Sequence, residues 1–320
     1  MSEKFWGRKI LLSAVFCGMA ACAYAAPKSG FAGEMIGEGV ISTPDDELGG
    51  SITADGSTLY FEKSVPPHYL YIMCESHWQN GKWGAPTVLP FSGEYRDTDP
   101  VLTPDGNAML FASDRPVDGV DRHHFFIWEA KKTDKGWGEP EFVHNPVNDG
   151  FDQVFASRAS NGNMYFTSSR KSGKYDVFRT RLVNGKYQEA EDLGADFNGP
   201  TTFTFEAFVA PDESFLLLGA FGREDSLGSS DLYISYNVNG RWTKPQNLGP
   251  TVNTRARDYS PRISGDGNWL LFTSETGMTT EPRTAPITYD EFVKASRGLH
   301  NGLGNLYRVP LGDVLRDTKP

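Results

Sequence analysis

The sequence contains little cysteine and no strongly basic segment. Its three cysteines are Cys17, Cys22 and Cys74, too few for a fold held together by several disulfide bonds. We therefore expect stability to come from packing, with Cys74 as a small buried apolar residue. The formal net charge is -10, whereas nucleic-acid binding demands clustered Lys and Arg. This composition indicates that nucleic acid is not a partner.

The sequence also has no long hydrophobic run and none of the common catalytic fingerprints. The longest apolar segment, Ile10–Ala23, is shorter than the roughly 20 residues that a membrane-spanning helix needs. A Gly-x-Ser-x-Gly nucleophile motif, a P-loop and a Rossmann fingerprint are all missing. These absences favour a non-catalytic protein, although they leave catalysis by other groups open.

The first residues have the pattern of a secretory leader. Basic residues precede the apolar run, and Ala23-Tyr24-Ala25 offers a small-residue cleavage site. We expect a signal peptide at 1–25 and hence a periplasmic or otherwise exported protein. Met19-Ala20-Ala21-Cys22 loosely matches a lipobox, so a lipoprotein leader at 1–21 with a lipidated Cys22 stays open. A lipid anchor of this kind would be the protein's only contact with a membrane.

A turn motif recurs five times along the chain. Each copy is an Asp-Gly-type turn followed by a short strand that ends in Phe or a similar apolar residue. Self-similarity at an interval of roughly 50 residues is typical of a repeat architecture. The Asp-Gly pair supplies the positive φ angles of a tight hairpin. The residues at this turn position are Asp55, Asp105, Asn161, Asp212 and Asp266.

Each unit also contains a second aromatic strand and a Gly-x-Trp-x-x-Pro hairpin such as Gly240–Pro245. Four antiparallel strands per unit, repeated around an axis, predict an all-β fold, a five-bladed β-propeller that spans 31–315 as one domain. The fifth unit ends without its hairpin, and we expect Gly39–Thr43 to supply the missing fourth strand and close the ring. Six blades are the alternative, but they require a blade without a visible signature.

An insertion near 277–304 interrupts the last unit. Thr288 and Glu291 have the spacing of a capping box, which predicts a short surface helix in this insertion.

The turn motifs resemble those of a known family. Pro104-Asp105-Gly106, Pro211-Asp212-Glu213 and the later Asp231-Leu232-Tyr233 resemble the TolB-like, WD-repeat-like β-propellers, which are exported bacterial proteins with a Pro-Asp-Gly repeat. The resemblance implies an envelope location and a role in binding a protein or ligand. This chain departs from the pattern at three turns, where Ala54, Gly265 and Ser160-Asn161 stand.

Acidic residues recur just before the turns, on the predicted innermost strands. Because innermost strands approach the central channel, we expect these carboxylates to ring its mouth. They could hold a cation such as calcium, supply the paired acids of a glycosidase, or simply cap turns and bond backbone N–H groups. Asp97 and Asp258 are the candidates for catalysis. The candidate ligand-binding residues are Glu47, Asp97, Asp99, Asp152, Glu206 and Asp258.

Two functions follow from this pattern. The first is a non-catalytic binding or scaffold module of the bacterial cell envelope, whose partner is an envelope protein, a peptide or a glycan at the channel mouth. The second is a carbohydrate-active hydrolase or lyase that uses channel carboxylates. No motif for a resident cofactor or metal is recognisable.

Overall fold

The computed structural model describes residues 30–66, 69–119, 124–144, 146–171, 173–277 and 285–318. Within these ranges the structure is nearly all antiparallel β-sheet, arranged as a five-bladed β-propeller, and the five-blade prediction is confirmed. The predicted leader at 1–25 and Cys22 lie outside the described residues. Neither helix among the described residues is long and apolar enough to cross a membrane.

Each blade has long inner strands and short outer segments. β1 (Glu34–Met35) belongs to the last blade. The first blade contains β2 (Asp46–Ile52), β3 (Thr58–Val65), β4 (Leu70–Gln79), β5 (Lys82–Trp83) and β6 (Thr87–Val88). The second contains β7 (Asp97–Leu102), β8 (Ala108–Ser113), β9 (Phe126–Thr133), β10 (Gly136–Trp137) and β11 (Glu141–Phe142).

The remaining blades repeat this order. The third contains β12 (Gln153–Arg158), β13 (Met164–Ser168), β14 (Asp176–Thr180), β15 (Leu182–Val183), β16 (Lys186–Tyr187) and β17 (Glu191–Asp192). The fourth contains β18 (Phe203–Val209), β19 (Phe215–Phe221), β20 (Asp231–Val238), β21 (Arg241–Trp242) and β22 (Gln246–Asn247). The fifth contains β23 (Asp258–Ile263), β24 (Trp269–Ser274) and β25 (Asn305–Pro310).

The second strand of each blade supplies most of the core. β8 and β13 are buried along their whole length because a neighbouring blade covers each face. Such strands appear in the sequence as continuous apolar runs, for example Leu216-Leu217-Leu218 in β19. The buried side chains form clusters between adjacent blades, so the hydrophobic core is divided into wedges around the axis.

The ring closes through the N-terminal segment, but by a different strand from the one predicted. β1 pairs with β25, with Glu34 opposite Arg308, and it completes the last blade. The predicted closing strand, Gly39–Thr43, is instead a turn, in which the N–H groups of Val40 and Ile41 bond to the carbonyl of Gly37. Gly37 has a φ of +58°, a conformation that breaks an extended strand. Ile41 is fully buried after this turn and packs between blades.

Two short helices decorate the last blade. α1 (Tyr289–Ser296) lies in the predicted insertion and begins with the predicted capping box of Thr288 and Glu291. α2 (Leu311–Asp317) follows β25 and buries Leu311 and Val314 against the fifth blade. This helix covers part of the channel mouth at which the Asp-Gly turns lie.

Candidate functional site

A bulge interrupts every innermost strand at about the same height in the channel. The register shifts lie at Gly49-Gly50, Asp99-Pro100, Phe155, Phe205 and Ser260-Pro261. In four blades the bulge contains a residue with positive φ: Gly49, Asp99, Phe155 and Ser260. Bulges re-aim side chains and break the ladder, and here they bring groups from different blades together near the axis.

Arg262 occupies the middle of the channel. Its side chain is fully buried, and its guanidinium carbon lies 4.4 Å from the centre of the Phe155 ring. Its Nε donates to the Pro100 carbonyl at 3.2 Å, and its Nη2 lies 3.7 Å from an Asp99 oxygen. Gly49 leaves the space for this group, because a Cβ there would lie 2.9 Å from Nη2. Arg262 therefore plugs the channel.

Two buried carboxyl groups, those of Glu62 and Glu206, and the partly exposed carboxyl group of Asp99 surround this arginine. Glu206 accepts hydrogen bonds from the backbone N–H and, at 2.7 Å, from the hydroxyl of Ser260. Glu62 accepts from the Thr98 hydroxyl at 2.6 Å and from the Asp99 N–H at 3.1 Å. We call Glu62, Asp99, Glu206 and Arg262 the channel cluster.

Burial decides the protonation of the cluster. It raises the pKa of Glu206 to about 7, with the charge of Asp99 acting in the same direction. It raises the pKa of Glu62 to about 8, again with Asp99 as the second cause. Burial also raises the pKa of Asp99, although Arg262 opposes this shift. Several carboxyl groups at one place thus retain protons far above their usual range.

A cavity of about 290 Å³, which we call the loop-side pocket, opens above the cluster. Glu62, Asp99 and Glu206 form part of its lining. Arg257 also contributes, stacked 4.2 Å from the centre of the Tyr259 ring and paired with Glu275 at 3.5 Å. The rest of the wall contains Leu48, Thr98 and Val154 and is otherwise aromatic, with Tyr71, Phe125, Tyr175, Phe203, Phe205, Phe221 and Tyr259.

The predicted site residues divide into two groups. Asp99 lies in the bulge of its strand, Glu206 directly follows the bulge at Phe205 and pairs with Gly219, and both residues line the loop-side pocket. Glu47, Asp97 and Asp258 occupy equivalent positions near the start of their strands, and none of them lines this pocket. The structure therefore brings two of the six predicted residues together at the loop-side pocket, and the other four, including Asp152, lie outside its lining.

The second group makes local contacts. Glu47 pairs with Lys63 at 3.0 Å, and Asp97 pairs with Arg115 at 2.7 Å. Asp258 accepts from the backbone N–H of Thr254 at 2.5 Å, and burial raises its pKa to about 6. Each of these contacts stabilises the entry of an innermost strand, and the predicted ligand-binding and catalytic roles stay predictions.

Asp152, the remaining predicted residue, lies between the second and third blades. Its carboxylate accepts from the Phe125 N–H at 2.9 Å and lies 3.2 Å from the His124 ring. It does not line the loop-side pocket, but it helps to position Phe125, which does.

Sequence reasoning missed Glu62 and Arg262. Both interrupt the repeat at positions where the other blades have uncharged residues. The residues equivalent to Glu62 in the second strands are Ala112, Thr167, Gly219 and Thr273. The residues equivalent to Arg262 in the innermost strands are Ser51, Val101, Ser157 and Phe208. A comparison of the repeats position by position would have revealed both.

The opposite channel mouth has a larger cavity, but its carboxylates are already hydrogen-bonded within their own turns. This turn-side cavity has a volume of about 840 Å³ and is lined by the Asp-Gly turns and by α2. The turns use their own carboxylates: Asp55 accepts from the Thr53 hydroxyl at 2.6 Å, and such bonds lower the pKa of Asp55 to about 2. We place the candidate site at the smaller pocket, because its carboxyl groups are not hydrogen-bonded within tight turns of their own.

A metal site is not apparent in the part of the chain that the structure describes. There, no group of three or more His, Cys, Asp or Glu side chains is arranged to hold a metal ion. The calcium ion considered from the sequence stays a prediction.

Comparison with known proteins bears on the fold. No family model and no curated protein matches the sequence. TolB from Acinetobacter baumannii is 16% identical with a TM-score of 0.47, and the match covers 83% of this chain and 55% of that chain. A protein of unknown function from Dyadobacter fermentans is 14% identical with a TM-score of 0.45, covering 76% of this chain and 78% of that one. A gluconolactonase from Xanthomonas campestris is 11% identical with a TM-score of 0.45, covering 89% and 96%.

These likenesses concern the fold alone. This chain spans about half of the TolB structure, or 55% of its length. A TolB protein is among the solved structures to which the chain is similar. The molecule's own geometry defines the class: a five-bladed β-propeller with a plugged channel and a candidate binding pocket at one mouth.

Proposed function

We propose that the protein is a non-catalytic ligand-binding β-propeller of the bacterial cell envelope, and that its ligand enters the loop-side pocket. The observation that carries the proposal is a pocket with largely aromatic walls and with the carboxyl groups of Glu62, Asp99 and Glu206 in its lining, next to the buried Arg262. Concave sites with apolar walls and a few convergent polar groups are typical of small-molecule binding. A volume of about 290 Å³ admits a small molecule or the end group of a peptide or glycan.

The composition of the pocket supports binding without covalent chemistry. Among the described residues that line it, there is no His, Cys or Ser that could form a nucleophile–base pair. The one lining hydroxyl on an aliphatic side chain, that of Thr98, donates to Glu62. Export to the envelope is part of the proposal and depends on the leader pattern at 1–25.

The test is a thermal-shift and calorimetric screen of the mature protein. The panel contains monosaccharides, amino acids, small amines and small peptidoglycan fragments. We expect at least one class to bind, and binding to fall by tenfold or more in Tyr175→Ala, which removes a half-buried ring from the pocket wall. Tyr289→Ala is the matched control, since Tyr289 is an exposed tyrosine on α1. A ligand that binds both variants equally would place the site elsewhere.

A carbohydrate-active hydrolase or lyase is the second candidate, and one observation favours it. The pKa of Glu62 is raised to about 8, so this carboxyl group keeps its proton at neutral pH beside the Asp99 carboxylate, as a general acid must. Glu62→Gln should then abolish cleavage of aryl glycosides, whereas Asp97→Asn and Asp258→Asn should retain it. Unchanged turnover in Glu62→Gln would dismiss this mechanism.

A further inference from the structure

We infer that the ligand of the loop-side pocket is a small organic cation, a protonated amine that is held by Glu62 and Glu206 against the aromatic wall. This inference rests on the proposed function and names the chemical class of its ligand. Four observations carry it: the balance of charge, an unused acceptor, the nature of the wall and the effect of protons.

The charge balance of the site is negative once its carboxyl groups are ionised, because Glu62, Asp99 and Glu206 share the single guanidinium of Arg262. Its two arginines each have an acidic partner, since Arg257 pairs with Glu275 at 3.5 Å and Arg262 lies 3.7 Å from Asp99. Glu62 and Glu206 form no salt bridge with any described residue. Arg262 acts on both by its charge alone, without a hydrogen bond from its Nη atoms, and Asp99 shares that charge. One guanidinium cannot neutralise three carboxylates, so a second cation that enters the pocket would be favoured.

Glu62 has an acceptor that the protein does not use. The residue is only 1% exposed, and its Oε2 receives both hydrogen bonds, from Thr98 and from Asp99. Its Oε1 has no hydrogen-bond partner among the described residues. Buried polar atoms are nearly always paired, so an unpaired oxygen on a residue that lines a cavity calls for a donor from outside.

The wall already binds a cation of the protein itself. The guanidinium of Arg257 lies 4.2 Å from the centre of the Tyr259 ring and 5.5 Å from that of Phe221. The rings of Tyr175 and Phe203 meet edge to face, 5.5 Å between centres, and belong to the same pocket. Aromatic faces attract ammonium and guanidinium groups, most strongly where water is excluded. This wall therefore suits a cation better than an anion.

The proton on Glu62 must leave when a cation binds. The titratable and charged groups that face Glu62 are Asp46 on β2, Tyr71 on β4, Asp99 on β7 and Arg262 on β23. The pKa of Glu62 is about 8 without a ligand, so a cation that binds at pH 7 favours the ionised form and releases a proton. Affinity should therefore rise with pH up to about 8 and then level off.

The experiment uses n-butylammonium as the probe and n-butanol, which has the same shape without the charge, as its neutral control. Calorimetry should show binding of n-butylammonium at pH 8, at least tenfold tighter than at pH 6, and no measurable binding of n-butanol. In Glu62→Gln the affinity should fall tenfold or more. Asp258→Asn should bind within twofold of wild type, because it changes a buried carboxyl group outside the pocket.

Measurements on the wild type keep the test independent of variant folding. Binding heats at pH 7 in phosphate and in Tris should differ by the amount that proton release predicts. Equal binding of n-butanol, unchanged affinity in Glu62→Gln, or stabilisation by calcium chloride but not by n-butylammonium would overturn the inference. If only neutral sugars bind, and Tyr175→Ala abolishes that binding, the cation inference fails while the proposed function stands. If no member of the panel binds, the proposed function itself fails.

Discussion

The two mouths of the channel contain carboxyl groups in opposite states. At the turn-side cavity, hydrogen bonds within each turn lower the pKa of residues such as Asp55 and Asp105. At the loop-side pocket, burial raises the pKa of Glu62 and Glu206. The larger cavity therefore has carboxylates that are satisfied within their own turns, whereas the smaller one has buried carboxyl groups, and that of Glu62 keeps one oxygen without a hydrogen-bond partner among the described residues. Availability of the polar groups, and not volume, distinguishes a candidate site from a gap between turns.

The largest effect in this comparison should come from Arg262 inside the channel, with Arg158 at the turn-side cavity as its counterpart. Arg262→Ala removes the one cation of the channel cluster and leaves a cavity beside buried carboxylates, so we expect a loss of about 3–5 kcal/mol in the free energy of unfolding. Arg158→Ala, at the turn-side cavity, breaks a partly exposed pair with Glu129 (2.8 Å) and should cost about 1 kcal/mol. Denaturant unfolding of both variants would measure the difference. Equal losses in the free energy of unfolding would show that the buried arginine contributes no more to stability than the one at the turn-side cavity.

Gly49→Ala should have the next largest effect. Gly49 has a φ of +57°, and an added Cβ would approach Arg262 Nη2 to 2.9 Å. We expect a loss of about 2 kcal/mol from backbone strain and from displacement of the guanidinium. Gly56→Ala is the control: it has a φ of +70° at a turn but nothing within 4 Å of the added Cβ, so it reports the strain alone. A smaller loss at Gly49 than at Gly56 would contradict the close packing around Arg262.

Glu62→Gln should stabilise the protein in alkaline solution. A carboxyl group whose pKa is raised to about 8 contributes stability that is present below its unfolded pKa and is lost as the pH rises through 8. The neutral glutamine avoids this loss, so we expect the Tm to rise by roughly 3–6 °C at pH 8 and to change little at pH 5. Thermal unfolding across this range is the measurement. A variant less stable than wild type at pH 8 would show that Glu62 is satisfied when ionised.

The smallest effect should come from a turn carboxylate. Asp105 accepts from the Thr103 hydroxyl at 2.6 Å and the Asn107 N–H at 3.1 Å, so Asp105→Ala should cost about 1 kcal/mol at pH 7. Because the pKa of Asp105 is lowered, this difference should shrink as the pH falls through it. Asp105→Asn should be nearly neutral, since Asn161 makes the equivalent bond to the Asn163 N–H at 2.9 Å. A large loss in Asp105→Asn would show that the charge itself matters at this mouth.

Much of the fold could be predicted because each unit repeats local chemistry. The Asp-Gly turn, the apolar second strand and the outer hairpin recur, and five copies indicated five blades that the structure confirms. The closing strand was predicted in the right part of the chain but at the wrong residues. Gly39–Thr43 looks extended in isolation, and only the packing of Ile41 between blades and the pairing of Glu34 with Arg308 favour β1 instead.

The candidate site was only partly visible for a related reason. Spacing from the turns identified Asp99 and Glu206, but it equally selected Glu47, Asp97 and Asp258, which form contacts at the strand entries. A rule based on spacing finds positions that recur in every blade. Residues at such positions mostly stabilise the blade itself. Glu62 and Arg262 break the repeat, so the rule passed over them.

By itself the sequence determined the number of blades, the turn chemistry and the order of strands, because these depend on contacts between residues that are near in the chain. Only the tertiary structure decided which charged residues meet. Glu62 from the first blade and Arg262 from the last converge because the ring closes and the bulges turn their neighbours toward the axis. Their proton affinities then follow from burial, a property of the assembled channel that no single repeat contains.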